Sequence, residues 1–157
     1  MSNYLFISLS TNVQFSPKIP YFASIQAIAA TIQLRYAEVC NRGKPVVLFI
    51  MAYWCPTCFH EAEELAKLHK KYKDRVTILA LDIDPSSTPQ SLALFKSQVG
   101  NPDYIWAFDR GGNVARSYKI RALETTIIFD QSGKVVFKDL RSTSYRTLEK
   151  QIKLILE

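Results

Sequence analysis

The spacing of apolar residues changes period several times along the chain, and each change marks an element. Tyr4 to Val13 reads as a strand, ended by the Ser16-Pro17 and Ile19-Pro20 punctuation. Ile25, Ile28, Ala29, Ile32, Tyr36 and Val39 then recur at three- and four-residue steps, which predicts a helix from about Tyr21 to Cys40, stopped by Asn41-Arg42-Gly43. Val46 to Met51 is continuously apolar and branched or aromatic, the pattern of a strand buried on both faces of a partly parallel sheet. After it a helix runs from Cys58 to about Lys73. Leu65, Leu68 and Tyr72 form its inner face, and Glu63, Glu64, Lys67, Lys70 and Lys71 supply solvent charge.

Val76 to Ile83 repeats the buried-strand pattern, and the Pro/Ser/Thr stretch Asp84 to Pro89 breaks it. Ser91 to Val99 reads as a short helix and Tyr104 to Phe108 as a short strand. Asp109-Arg110-Gly111-Gly112 turns the chain into a brief helical segment through Ala115 and Tyr118. Thr125 to Asp130 and Lys134 to Lys138 form a hairpin around Gln131-Ser132-Gly133, and Leu148, Ile152 and Ile155 mark a terminal amphipathic helix. Without repeats or a linker, this order predicts a single domain over 1–157. Within it, 1–43 is an N-terminal strand and helix, and 44–157 carries the recognisable core as an α/β sandwich.

Composition changes little in this picture. A chain of 157 residues, 48% hydrophobic and 22% charged, is long enough for one packed core. The net charge of +6 is spread along helices opposite acidic residues, so it reads mainly as a solvated surface and predicts no nucleic-acid partner, with nucleic-acid binding by the basic surface as a minor alternative. No apolar run of about 18 residues offers a stable membrane insertion. Tyr4-Leu5-Phe6-Ile7 has neither a preceding basic residue nor a following cleavage site, so no intact export signal is visible. The expected location is cytoplasmic if the chain is complete and extracytoplasmic if a targeting segment has been removed.

The chemistry lies in Trp54-Cys55-Pro56-Thr57-Cys58. A buried strand delivers Cys55 to the exposed start of the next helix, where unpaired amides and the positive end of the helix dipole favour a thiolate. Cys58 follows one turn later and can attack a mixed disulfide on Cys55, so the first cysteine reads as nucleophile and the second as resolver. Pro56 suits an early helical position, where no intrahelical acceptor awaits its missing N–H. Trp54 either shields the sulfur, contributes to a docking surface, or packs against the core. Zinc is a weaker reading, because a structural site needs about four ligands and Cys40, His60 and His69 are scattered. A pair of inert buried thiols is the other alternative. Cys40, at the predicted end of the first helix, reads as a structural or incidental thiol.

From Gly43 to Glu157 the sequence resembles the thioredoxin superfamily, especially disulfide reductases of the TlpA/ResA type. The matching stretches are Gly43-Lys44-Pro45-Val46-Val47-Leu48, Ala52 to Cys58 followed by Glu61, Leu81-Asp82-Ile83-Asp84, and Tyr118 to Leu123 leading into Thr125 to Gly133. The resemblance implies a thioredoxin-like three-layer α/β/α sandwich with a central mixed β-sheet. It implies a protein-disulfide reductase that needs no dissociable cofactor, with Cys55 attacking and Cys58 resolving, a disulfide-containing protein as substrate and a thiol–disulfide partner as electron donor; a monomer without a metal is expected. A thioredoxin-fold binding or adaptor protein with weak redox activity is the alternative.

Three positions depart from the pattern. Glu124 stands where the family has a cis-proline before the Thr125-Thr126-Ile127 strand, Glu63 replaces a helix proline, and Phe49 occupies the place of a buried acid on the central strand. A trans Leu123–Glu124 bond is expected, since a cis bond before a non-proline residue costs about 2.5–4 kcal/mol. The resemblance implies that Glu124 sits beside Cys55, and an outward, solvated Glu on a shifted loop is the alternative. Glu61 shares the face of Leu65, Leu68 and Tyr72 and reads as a proton shuttle or as a partly exposed helix carboxylate. Trp54, Pro56, Glu61, Glu124 and Thr125 are thus the candidate modulators of Cys55 and Cys58.

Overall fold

The computed structural model describes residues 43–157 and the backbone of two short strands, β1 (Ala27–Ala29) and β2 (Ile32–Leu34). The predicted strand over Tyr4 to Val13 and the thiol of Cys40 lie outside the described residues. The helix expected from Tyr21 to Cys40 is corrected where the backbone is described: β1 and β2 pair antiparallel, Ala27 opposite Leu34 and Ala29 opposite Ile32. The spacing of four between Ile28 and Ile32 fits a period of two as well as one of 3.6, and β-branched residues favour the extended chain.

The main sheet has five strands in the order β5-β4-β3-β6-β7. At its centre lies β3 (Val46–Met51), parallel to β4 (Thr77–Asp82) and antiparallel to β6 (Thr125–Phe129). The outer strands are β5 (Ile105–Phe108), parallel to β4, and β7 (Val135–Asp139), antiparallel to β6. Every residue of β3 is buried, as its unbroken apolar run requires. Alternation sends Val47, Phe49 and Met51 to one face of the sheet, and Val46, Leu48 and Ile50 to the other.

The first face is covered by α1 (Pro56–Tyr72), α2 (Pro89–Gln98) and α4 (Tyr145–Leu156), which bury Ala62, Leu65, Leu68, Leu92, Phe95, Leu148 and Ile152. On the second face Val114 of α3 (Asn113–Ser117) packs with Leu79, Leu81, Ile127 and Phe129. The result is the expected three-layer α/β arrangement. No helix among the described residues is long and apolar enough to cross a membrane.

Local chemistry sets the element ends. α2 begins two residues before its first expected position because Pro89 takes N1 and Thr88 caps the Ser91 amide in a capping box. The β6–β7 turn closes through the Asp130 carboxylate, which accepts from the amides of Ser132 and Lys134, while Gly133 supplies a φ of 81°. Glu64, expected in solvent, is buried instead. Its carboxylate accepts the Tyr145 backbone N–H at 3.0 Å, satisfying a first-turn amide of α4 that has no partner within that helix.

Candidate active site

The central strand aims the chain at the site. β3 ends at Met51, the Cys55 amide donates to the Ala52 carbonyl at 3.0 Å, and Cys55 becomes the N-cap of α1 with Pro56 behind it. Cys55 and Cys58 are joined by a disulfide with Cα atoms 5.3 Å apart. Cys58 sits in the first turn, its amide donating to the Cys55 carbonyl at 3.2 Å. The Thr57 hydroxyl lies 3.5 Å from the Cys55 sulfur. The sequence expectation of an exposed Cys55 needs correction: it is only 4% exposed, against 0% for Cys58. Met51, Ala52 and Ala62 belong to the same packed cluster, so the strand-to-helix turn tucks the sulfur against the core.

Two aspartates hold the loop before Cys55. Asp82, at the end of β4 and opposite Met51, accepts the Tyr53 amide at 3.2 Å and the Asp84 amide at 2.9 Å. Burial pushes its carboxyl above the ordinary aspartate range, partly offset by these hydrogen bonds. Asp84 accepts the Trp54 indole N–H and the hydroxyl and amide of Ser86, and these bonds, the Ser86 hydroxyl foremost, hold its carboxyl below the ordinary value. Trp54 is thereby tethered while 54% exposed, which rules out core packing and leaves a surface beside the disulfide.

Glu61 is fully buried, so the partly exposed reading is corrected as well. Its carboxylate accepts the Thr126 hydroxyl of β6 at 2.5 Å. Desolvation pushes it up to about 8, against the pull of hydrogen bonds from the Thr126 hydroxyl and the Thr143 backbone, and the charge of Glu124 adds to the rise. Thr126 is the register partner of Phe49. The central strand carries no acid at Phe49, and a buried carboxyl reaches the same layer from α1.

Glu124 lies immediately before β6, after a trans bond. Its φ is 61°, a left-handed conformation that non-glycine residues seldom adopt, and its amide donates to the Ile50 carbonyl at 3.0 Å. A carboxylate oxygen of Glu124 and the sulfurs of Cys55 and Cys58 all lie within 4.8 Å of one another. Oε1 of Glu124 is buried without a hydrogen-bond partner. Thr125 is buried and its hydroxyl donates to the Ala122 carbonyl at 2.8 Å, closing the turn that presents Glu124. Glu63 is exposed on α1, away from this cluster. Sequence reasoning missed Asp82, Asp84 and Thr126 as parts of the site. The one available signal was Asp82-Ile83-Asp84 at the mouth of a buried strand, beside a Ser/Thr/Pro loop.

A family model described as Redoxin matches residues 18–152. The thiol-disulfide oxidoreductase ResA of Bacillus thuringiensis subsp. konkukian is 31% identical over 115 residues, covering 73% of this chain and 65% of that protein. The thiol:disulfide interchange protein DsbE of Pasteurella multocida is 28% identical over 120 residues, covering 76% and 64%. The matches thus span a little under two thirds of these relatives' lengths. Among solved structures, a thiol:disulfide interchange protein of the thioredoxin family from Chlorobium tepidum aligns with a TM-score of 0.66 at 18% identity, covering 77% of this chain and 84% of that one. StoA from Bacillus subtilis aligns at 0.61 and 18%, covering 71% and 84%. The fold is thioredoxin-like.

Proposed function

The chain belongs to the redoxin family, and we propose that it is a thiol–disulfide oxidoreductase working as a reductase of protein disulfides through Cys55 and Cys58. The observation that carries this reading is the disulfide-linked Cys55/Cys58 pair at the N-terminus of α1, set there by the central strand. We take 1–157 as a single domain with 44–157 as its redox core.

In the reduced chain, the Cys55 thiolate attacks one sulfur of a substrate disulfide. A mixed disulfide forms and the first substrate sulfur leaves as a thiolate that takes up a proton. Cys58 then attacks the Cys55 sulfur, restoring the Cys55–Cys58 disulfide and releasing the second substrate thiol, so two electrons pass to the substrate. A small-molecule or protein dithiol returns them. First-turn amides and the helix dipole favour the thiolate on Cys55. Glu61, one helical turn beyond Cys58 and carrying a near-neutral pKa, is suited to take the Cys58 proton during resolution and return it during re-reduction. The tethered Trp54 indole offers the substrate a flat apolar surface beside the sulfurs.

The test is reduction of insulin by the chain with dithiothreitol as donor. Wild type should accelerate precipitation of the insulin B chain over dithiothreitol alone, and Cys55→Ser should fall to the background rate. Equal rates for the two proteins would exclude the reading.

A further inference from the structure

The Cys55/Cys58/Glu124 cluster contains two soft sulfur donors and one carboxylate, drawn from two elements far apart in sequence and brought together because β6 runs beside β3. Zinc binds thiolate sulfur at about 2.3 Å and carboxylate oxygen at about 2.0–2.2 Å, which places two sulfurs and one oxygen of a shared tetrahedral ion roughly 3.5–3.8 Å apart. All three donors already lie within 4.8 Å of one another while the sulfurs are still joined. A C-x-x-C pair at a helix start can open from disulfide to chelating spacing by side-chain rotation alone.

A second observation points to a ligand. Oε1 of Glu124 is buried with no hydrogen-bond partner, and Glu124 forms no ion pair among the described residues. A buried carboxylate oxygen without a partner carries a desolvation cost that a bound cation would remove. The backbone adds weight, since Glu124 is held at a φ of 61° by the Ile50 carbonyl and by the Thr125–Ala122 hydrogen bond, fixing where the side chain begins. Proline at this position would supply no donor atom.

We propose that the reduced chain binds one zinc ion through Cys55 Sγ, Cys58 Sγ and the Glu124 carboxylate. The proposal rests on the dithiol reading. A thiol donor first reduces the Cys55–Cys58 disulfide, its two electrons and two protons giving two thiols and one donor disulfide. Zinc then displaces the two thiol protons, forming two Zn–S bonds and releasing two protons to solvent. Three protein ligands leave a fourth position for water or a substrate thiolate, as in open zinc sites. While zinc is bound, neither sulfur can attack a disulfide, so the metal holds the pair reduced and idle until a competing ligand removes it.

The experiment titrates the dithiothreitol-reduced, desalted chain with zinc against a chromophoric chelator, and in parallel with cobalt(II), whose thiolate charge-transfer absorption reports sulfur ligation. Wild type should take up one metal per chain with that absorption, and the disulfide form none. Glu124→Ala and Glu124→Gln should each weaken affinity at least tenfold, while Glu63→Ala, on the exposed face of α1, leaves it unchanged. Zinc should slow insulin reduction by wild type, with the Glu124 variants needing at least tenfold more metal for the same effect. No cobalt–thiolate absorption in the reduced wild type, or equal affinity in wild type and both Glu124 variants, overturns the site. A chain that reduces insulin yet binds no metal refutes this inference alone, whereas one that does neither refutes the dithiol reading beneath it.

Discussion

Thr126 on β6 donates its hydroxyl to the Glu61 carboxylate of α1 across the packed layer between sheet and helix, at 2.5 Å. Burial at this contact pushes Glu61 up to about 8 from an ordinary value of 4.5. Between those two values the folded chain holds a proton that the unfolded chain has lost. Stability therefore falls as pH rises through this window, and the full contribution of neutral Glu61 is present only below about 4.5.

The Glu61 shift corresponds to roughly 5 kcal/mol across the window. Glu61→Gln keeps the shape and the acceptor for Thr126 but cannot ionise. In urea denaturation of the disulfide form, the wild-type midpoint should drop between about pH 5 and pH 8, and the Gln variant should be flatter and the more stable protein at about pH 8. Parallel pH curves for the two proteins would remove Glu61 as the titrating group.

The two cysteines should trap substrate unequally. Cys58 is fully enclosed in the first turn, while Cys55 keeps a small exposed area at the N-cap next to the Thr57 hydroxyl. Cys58→Ser should accumulate a mixed disulfide with a disulfide-bearing protein at least tenfold above Cys55→Ser, read on a non-reducing gel. Comparable adducts from both variants would show that burial does not order the two thiols.

Asp82 is expected to matter more for the site than its position outside the cysteine motif suggests. Its carboxylate satisfies the amides of Tyr53 and Asp84, and Asp84 in turn holds Trp54. Asp82→Ala leaves both amides without their acceptor, at a cost of about 1–3 kcal/mol each when water cannot reach them. Urea unfolding should show a loss of roughly 2–4 kcal/mol, and insulin reduction should slow at temperatures where the variant is still folded. An Asp82→Ala protein with wild-type stability and rate would mean that the Trp54 loop holds its shape unaided.

The sequence exposed the parts of this fold that depend on local pattern. Val46 to Met51 and Val76 to Ile83 carry unbroken apolar runs, so the central strands were legible, and Pro56 behind Cys55 marked the start of α1. Burial of Glu61 was not legible, because Glu61-Ala62-Glu63-Glu64 reads as a charged helix face until β6 places Thr126 opposite it. Glu64 was misread for the same reason, its partner being the first amide of α4. Around Ile28 and Ile32 a spacing compatible with two periods favoured the wrong one. The position of Glu124 beside the cysteines could be anticipated only from the family pattern, since nothing local to Leu123-Glu124-Thr125 points to Cys55.

Glu124 also sets a charge beside the sulfurs, and its effect on thiol chemistry can be separated from metal binding by working in the presence of a chelator. An ionised carboxylate within 4.8 Å of a thiolate opposes it by roughly 1–3 kcal/mol for effective dielectric constants between about 80 and about 20. Glu124→Gln keeps the side-chain length, tolerates the same backbone and removes the charge. The reduced variant should therefore react with iodoacetamide near neutral pH at least about fivefold faster than wild type. Because the Glu124 charge contributes to the raised pKa of Glu61, the same substitution should move the Glu61 titration toward lower pH. Glu124→Pro is a harsher change, since proline fixes φ near −65° and cannot occupy the observed 61°. It forces the Leu123-Glu124 segment to rebuild, so a rate change in that variant alone would not report on charge. Iodoacetamide rates and Glu61 titration that are both unchanged in Glu124→Gln would show that the carboxylate exerts no field on the dithiol.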